Sequence, residues 1–116
     1  VNFNRIYLVL LCPFIHILIA SATTHTVVVA PGSKDIFDPV SLTINVGDTV
    51  QWTFQEDFHT VTSSTGNGCS SSGLFDSGVL NTGNKFSFTF KNAGTFNYMC
   101  LPHCEMGTKG VVVVNE

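Results

Sequence analysis

An all-β fold, a Greek-key sandwich of seven or eight short strands, is what this sequence predicts. Three observations lead there. Apolar and polar residues alternate with period two in several short segments, Gly, Pro and Asn turns separate those segments, and no segment carries the 3.6-residue period of an amphipathic helix. Strands this short, in a chain this size, must bury their apolar faces against a second sheet.

The folded unit is expected over residues 23–116. Residues 1–22 read as a secretory signal peptide: Arg5 is a positive start, residues 6–20 are apolar except for Pro13 and His16, and Ala20-Ser21-Ala22 is a small-x-small cleavage site. A membrane anchor is the competing reading, but the apolar run falls short of the roughly 20 residues an anchor needs and no positive cluster follows it. The expected location is therefore secreted, periplasmic or otherwise extracytoplasmic. Membrane contact would come only through this segment, if it stayed uncleaved.

The elements follow in order. Residues 24–30 are rich in β-branched residues and form the first strand, and Pro31-Gly32-Ser33-Lys34-Asp35 turns. Phe37-Asp38-Pro39 is an extended connection into a strand over residues 42–46. Gly47-Asp48 turns tightly into a strand over residues 50–54. Leu42, Ile44, Val46, Val50, Trp52 and Phe54 are expected to face one interior. Thr60-Val61-Thr62 is a short strand leaving His59, and the Ser/Gly-rich residues 63–73 form a surface loop that Cys69 would tie down. In residues 85–91 Phe86, Phe88 and Phe90 face inward, while Lys85, Ser87, Thr89 and Lys91 face outward. Asn92-Ala93-Gly94 turns into a strand ending at Cys100, and residues 111–114 complete the sheet.

Charge and cysteine count narrow the function. Without the leader, Lys34, Lys85, Lys91 and Lys109 stand against eight carboxylates, a net charge of −4. That balance excludes nucleic acid and anionic membrane as partners, since both call for positive stripes. No internal repeat or linker suggests more than one domain, and a monomer is expected. Three cysteines remain in an oxidising compartment: Cys69, Cys100 and Cys104. If two of them pair, the third is left for a metal. A Cys69–Cys104 bond leaves Cys100 free, although spacing alone leaves a Cys100–Cys104 bond open.

The chemistry concentrates in Cys100-Leu101-Pro102-His103-Cys104-Glu105-Met106, with a second imidazole, His59, upstream. Thiolate, imidazole and thioether together select soft or borderline metals, copper above all. One strand ending at Cys100 and turning at Pro102 can present His103 beside it, while His59 arrives from another strand. The result is a His₂Cys set for one copper ion, with room for a weak axial ligand. No Ser-His-Asp or paired-carboxylate arrangement emerges, and the open position of a catalytic copper is not indicated, so an enzyme is not expected.

These residues resemble the cupredoxins, the small blue copper proteins, and among them the plastocyanin, halocyanin, pseudoazurin and amicyanin group. The resemblance rests on Phe37-Asp38-Pro39, on Val46-Gly47-Asp48-Thr49-Val50-Gln51-Trp52, on Phe58-His59-Thr60-Val61, on Phe75-Asp76-Ser77-Gly78, on Gly94-Thr95-Phe96-Asn97-Tyr98-Met99-Cys100 and on Pro102-His103. It spans essentially all of residues 23–116. It implies His59, Cys100 and His103 as equatorial ligands to a Cu(I)/Cu(II) ion and, as in phytocyanin-like members, a Cys69–Cys104 disulfide. For the axial position, one register places Met106 there and another places Thr108. The alignment of the last strand favours Thr108, but ligand softness favours Met106, which is taken with His59, Cys100 and His103 as the expected metal set. Met99 stands where plastocyanins carry a tyrosine, which removes a remote electron path.

The implied function is one-electron transfer between redox proteins that dock transiently at the His103 surface, ringed by Leu101, Pro102 and Met106. Copper storage or delivery would call for Met-rich or His-rich tracts, which are absent. A structural or signalling domain of the same fold would not be expected to keep all three ligands.

Overall fold

The computed structural model describes residues 7–11 and 16–116. Part of the expected leader, residues 1–6 and 12–15, lies outside the described residues. Strands β1 (Tyr7–Leu11) and β2 (His16–Ala20) pair antiparallel with each other and, among the described residues, join no other sheet.

The sandwich is made of β3 (Thr24–Val29), β4 (Phe37–Asp38), β5 (Ser41–Asn45), β6 (Thr49–Phe54), β7 (Thr62–Ser64), β8 (Ser71–Asp76), β9 (Lys85–Thr89), β10 (Gly94–Met99) and β11 (Lys109–Asn115). One sheet has the order β4-β3-β6-β9 and the other β5-β11-β10-β7-β8. Two pairings are parallel, β3 with β6 and β5 with β11, so the chain crosses between sheets rather than meandering within one.

This is the expected all-β sandwich, with nine strands in place of seven or eight. The additional strands come from segments whose sequence lacks alternation. Phe37–Asp38 pairs with the end of β3. Residues 71–73, expected as loop, belong to β8, an edge strand whose side chains are mostly exposed. Apart from Phe75, which enters the core, β8 is held by hydrogen bonds rather than apolar burial. Its ladder to β7 is joined by the Ser63 hydroxyl, which accepts from the Leu74 and Phe75 amides at 3.0 and 2.9 Å. The strand expected at residues 60–62 starts only at Thr62. Val46, expected inside, is 37 % exposed because it lies past the end of β5, where the chain turns.

Trp52, Tyr98, Phe37 and Phe75 fill the space between the sheets. The Phe37 and Tyr98 ring centroids are 4.6 Å apart, and Trp52 lies 5.3 Å from Tyr98 and 5.6 Å from Phe75. The Phe86, Phe88 and Phe90 row packs on Phe75 as its alternation predicts. Gly110 on β11 is required by this core: a Cβ there would stand 2.4 Å from the Tyr98 ring.

At the end of the sandwich where β3 begins, Asp48 is fully buried. Its carboxylate accepts from the Thr23 amide, the Asn45 amide and His25 Nε2, each at 3.0 Å. It thereby joins the start of β3 to the β5–β6 turn. Removing a buried, fully partnered carboxylate leaves its donors orphaned, so Asp48→Ala is expected to cost about 3–5 kcal/mol. His25→Ala should cost less, because both backbone donors still hold the carboxylate. Denaturant unfolding checks this, and an unchanged midpoint for Asp48→Ala would refute the role.

Candidate metal centre

β10 delivers Cys100 to the end of the sandwich, fully buried, directly after the buried Met99. Pro102 then sits in the first turn of a 3-10 helix, Leu101–Met106, where its missing N–H costs nothing. The turn ends at Gly107, whose φ of 96° lies in the region that favours glycine. Its base is fastened to the strands on both sides: the His103 amide donates to the Cys100 carbonyl at 3.1 Å, and the Cys100 amide to the Thr108 carbonyl at 3.0 Å.

His59 comes from the connection between β6 and β7 and is also fully buried. It makes a two-way backbone bridge with Leu80. The Phe58 amide donates to Asn81 Oδ1 at 3.2 Å and the Thr82 amide to Asp57 Oδ1 at 2.9 Å, so the whole segment is pinned to residues 80–82. The bond from Thr82 holds the Asp57 carboxyl below its usual range.

The two segments meet at sulfur. Cys100 Sγ stands 3.5 Å from His59 Nδ1 and 3.2 Å from His103 Nδ1. A transition metal bound at roughly 2.0–2.3 Å to nitrogen and sulfur would set three donors roughly 3.5–4 Å apart, so these atoms, all within 4.8 Å of one another, would need to open only slightly to hold one. The donors are one thiolate and two imidazoles, the set that suits copper. Among the described residues they form the one His/Cys group that could hold a metal without a carboxylate. Burial pushes the Cys100 thiol up, opposed by the Thr60 amide, which donates to Sγ at 3.3 Å. Metal binding must therefore displace a proton from this sulfur.

A chain of hydroxyls braces the ligands. The Leu101 amide donates to Thr60 Oγ1 at 2.9 Å, Thr60 lies 2.9 Å from Thr62 Oγ1, and Thr62 donates to Asp76 Oδ1 at 3.0 Å. Asp76 also accepts from the Gly78 amide, and Ser77 Oγ from the Val61 amide. The Phe75-Asp76-Ser77-Gly78 motif thus clamps the segment between His59 and Thr62.

The Cys69–Cys104 disulfide is present, as the resemblance implies, and among the described residues Cys100 is the free thiol. It draws the loop around Cys69 against the residue next to His103. Lys109 adds a bond to the Asn67 carbonyl at 2.8 Å.

His59, Cys100 and His103 are brought together. Met106 stands at the surface, 66 % exposed. Thr108 is buried, and its hydroxyl donates to the Asp35 carbonyl at 2.8 Å. Three further neighbours escaped sequence reasoning. Glu56 Oε1 accepts from His59 Nε2 at 2.9 Å, and this bond holds the Glu56 carboxyl below its usual range. Asp35 Oδ1 lies 3.9 Å from His59 Nε2 and 4.0 Å from His103 Nε2. Phe58, half-exposed, points its ring edge at His103 from a backbone φ of 64°.

Comparison with known proteins agrees with this centre. Residues 24–115 match the family described as copper binding proteins, plastocyanin/azurin family. Plastocyanin of Scenedesmus fuscus is 34 % identical over 84 residues, spanning 68 % of this chain and 86 % of that protein. Plastocyanin of Synechococcus sp. (strain JA-2-3B'a(2-13)) is 32 % identical over 104 residues, 81 % of this chain and 76 % of that one. Among solved structures, a purple cupredoxin from Nitrosopumilus maritimus superposes with a TM-score of 0.70 at 31 % identity, covering 78 % of this chain and 99 % of that one. The chain belongs to the plastocyanin/azurin family of copper-binding proteins, within the cupredoxins.

Proposed function

We propose that this protein carries single electrons between redox proteins in an extracytoplasmic compartment, through one copper ion held by His59, Cys100 and His103. The observation that carries the reading is the convergence of Cys100 Sγ with two Nδ1 atoms within 3.5 Å. Bound copper supplies a one-electron couple. The protein's part is to hold its donors still and dry. Cys100 and His59 are sealed from water, and the braced segments on either side limit rearrangement between oxidation states. The Thr60 amide, aimed at the sulfur, draws electron density from the thiolate.

His103 alone among the ligands reaches the surface, with 17 % of its side chain exposed. Phe58, Leu101, Pro102 and Met106 are exposed around it, an apolar patch that suits the small interfaces of transient redox encounters. Asp35 and Glu56 border this patch, which favours a partner with a basic rim. The disulfide supports an oxidising compartment, in agreement with the signal-peptide reading of residues 1–22. The plastocyanin relatives support a carrier without catalysis of its own.

The oxidised protein is expected to absorb strongly in the visible through thiolate-to-copper charge transfer, and Cys100→Ser should abolish the band. A colourless copper complex would overturn the reading.

Exposure of Met106 supports a place at the rim of the docking surface. Met106→Leu nearly conserves volume, so spectrum and potential should stay unchanged while electron exchange with a partner slows. A shifted spectrum and a raised potential would instead place the thioether on the metal.

A further inference from the structure

We propose that Glu56 is the positioning residue of this centre: its carboxylate holds His59 in the Nε2–H form, commits Nδ1 to the metal and favours the oxidised state. The redox half of this inference rests on the copper reading above. The tautomer half does not.

His59 is fully buried, so water cannot satisfy its ring nitrogens. A neutral imidazole carries one N–H, and two acceptors compete for it. Glu56 Oε1 lies 2.9 Å from Nε2, and Cys100 Sγ lies 3.5 Å from Nδ1. Were the proton on Nδ1, it would point at the sulfur and block the nitrogen lone pair that the metal needs. A carboxylate oxygen at short range is much the stronger acceptor, so the proton belongs on Nε2.

Glu56 is itself held in place. Ser33, from the turn whose backbone enters the left-handed region at Ala30, Gly32 and Ser33, lies on its other side and, after His59, favours its charged form. Electron density pushed through the ring stabilises the more highly charged metal.

Asp35 provides an internal comparison. Its carboxylate is 3.9 Å from His59 Nε2, too far to accept a hydrogen bond but close enough to exert a similar field. If only surface charge mattered, the two carboxylates would act alike.

Three variants separate the contributions: Glu56→Gln keeps an acceptor without charge, Glu56→Ala removes both, and Asp35→Asn removes only the more distant charge. In the metal-free protein, nitrogen-15 NMR of His59 should show the Nε2–H form in the unaltered protein and in Glu56→Gln, and a loss of that preference in Glu56→Ala. In the copper protein, Cu(II) affinity should fall about tenfold in Glu56→Gln and towards 100-fold in Glu56→Ala. Each tenfold loss for Cu(II) relative to Cu(I) raises the potential by about 59 mV. Asp35→Asn should produce a distinctly smaller rise.

An unchanged tautomer in Glu56→Ala would overturn the proposal. So would an Asp35→Asn rise as large as that of Glu56→Gln. If the unaltered protein bound no copper, the electron-carrier reading would fail, while the metal-free NMR comparison would still decide the role of Glu56.

Discussion

The structure depends on one junction, where the Thr60 amide meets the Cys100 sulfur and the Leu101 amide meets the Thr60 hydroxyl. Two segments forty-odd residues apart must be placed to a fraction of an ångström, because a metal tolerates little error in the distance between its donors. A sandwich core alone does not give that precision, since apolar packing is non-directional. Hydrogen bonds are directional, and here they run in series from Leu101 through Thr60 and Thr62 to Asp76. Each hydroxyl accepts from one neighbour and donates to the next, so no member is left unsatisfied in a buried chain.

The same logic explains why the two sheets carry different duties. The four-stranded sheet presents β6 and β9 to the core through Trp52, Phe86 and Phe88, and its pairing is regular throughout. The five-stranded sheet carries the irregularities: a register shift between β7 and β8, the 3-10 turn after β10 and the disulfide. Irregular backbone is tolerated at that end because side-chain oxygens of Ser63, Asp76 and Ser77 take up the amides the ladder leaves over. The metal centre occupies the place where regular pairing stops.

How much of this was legible in the sequence follows from where each signal resides. β3, β6, β9, β10 and β11 could be read because alternation or β-branched runs reflect one buried face, a local property of the chain. β8 could not, since only Phe75 along it is buried. Cys100 and His103 were legible as a pair because a single turn carries both, and His59 by the kind of ligand it offers. Glu56, Asp35 and Phe58 matter only through partners brought near by folding, as does the His25–Asp48 pair. Gly47-Asp48 was visible as a turn. That the aspartate turns inward to collect two amides and an imidazole depends on β3 arriving from another part of the chain.

Burial divides the centre into an interior half and a surface half. Cys100 and His59 have no access to water, so their contribution is fixed geometry and a low dielectric, in which the hydrogen bonds to sulfur and imidazole act strongly. His103 has a partner-facing edge, and the disulfide beside it restrains the turn on which that edge is carried. Phe58 shows how the halves are joined. A bulky side chain at positive φ is costly, yet here it allows the backbone to send its ring outward to the rim while the next residue, His59, turns fully inward. One strained residue therefore serves both the dry ligand set and the exposed apolar surface. The strain persists because Asn81 holds the Phe58 amide and Leu80 holds the backbone of His59.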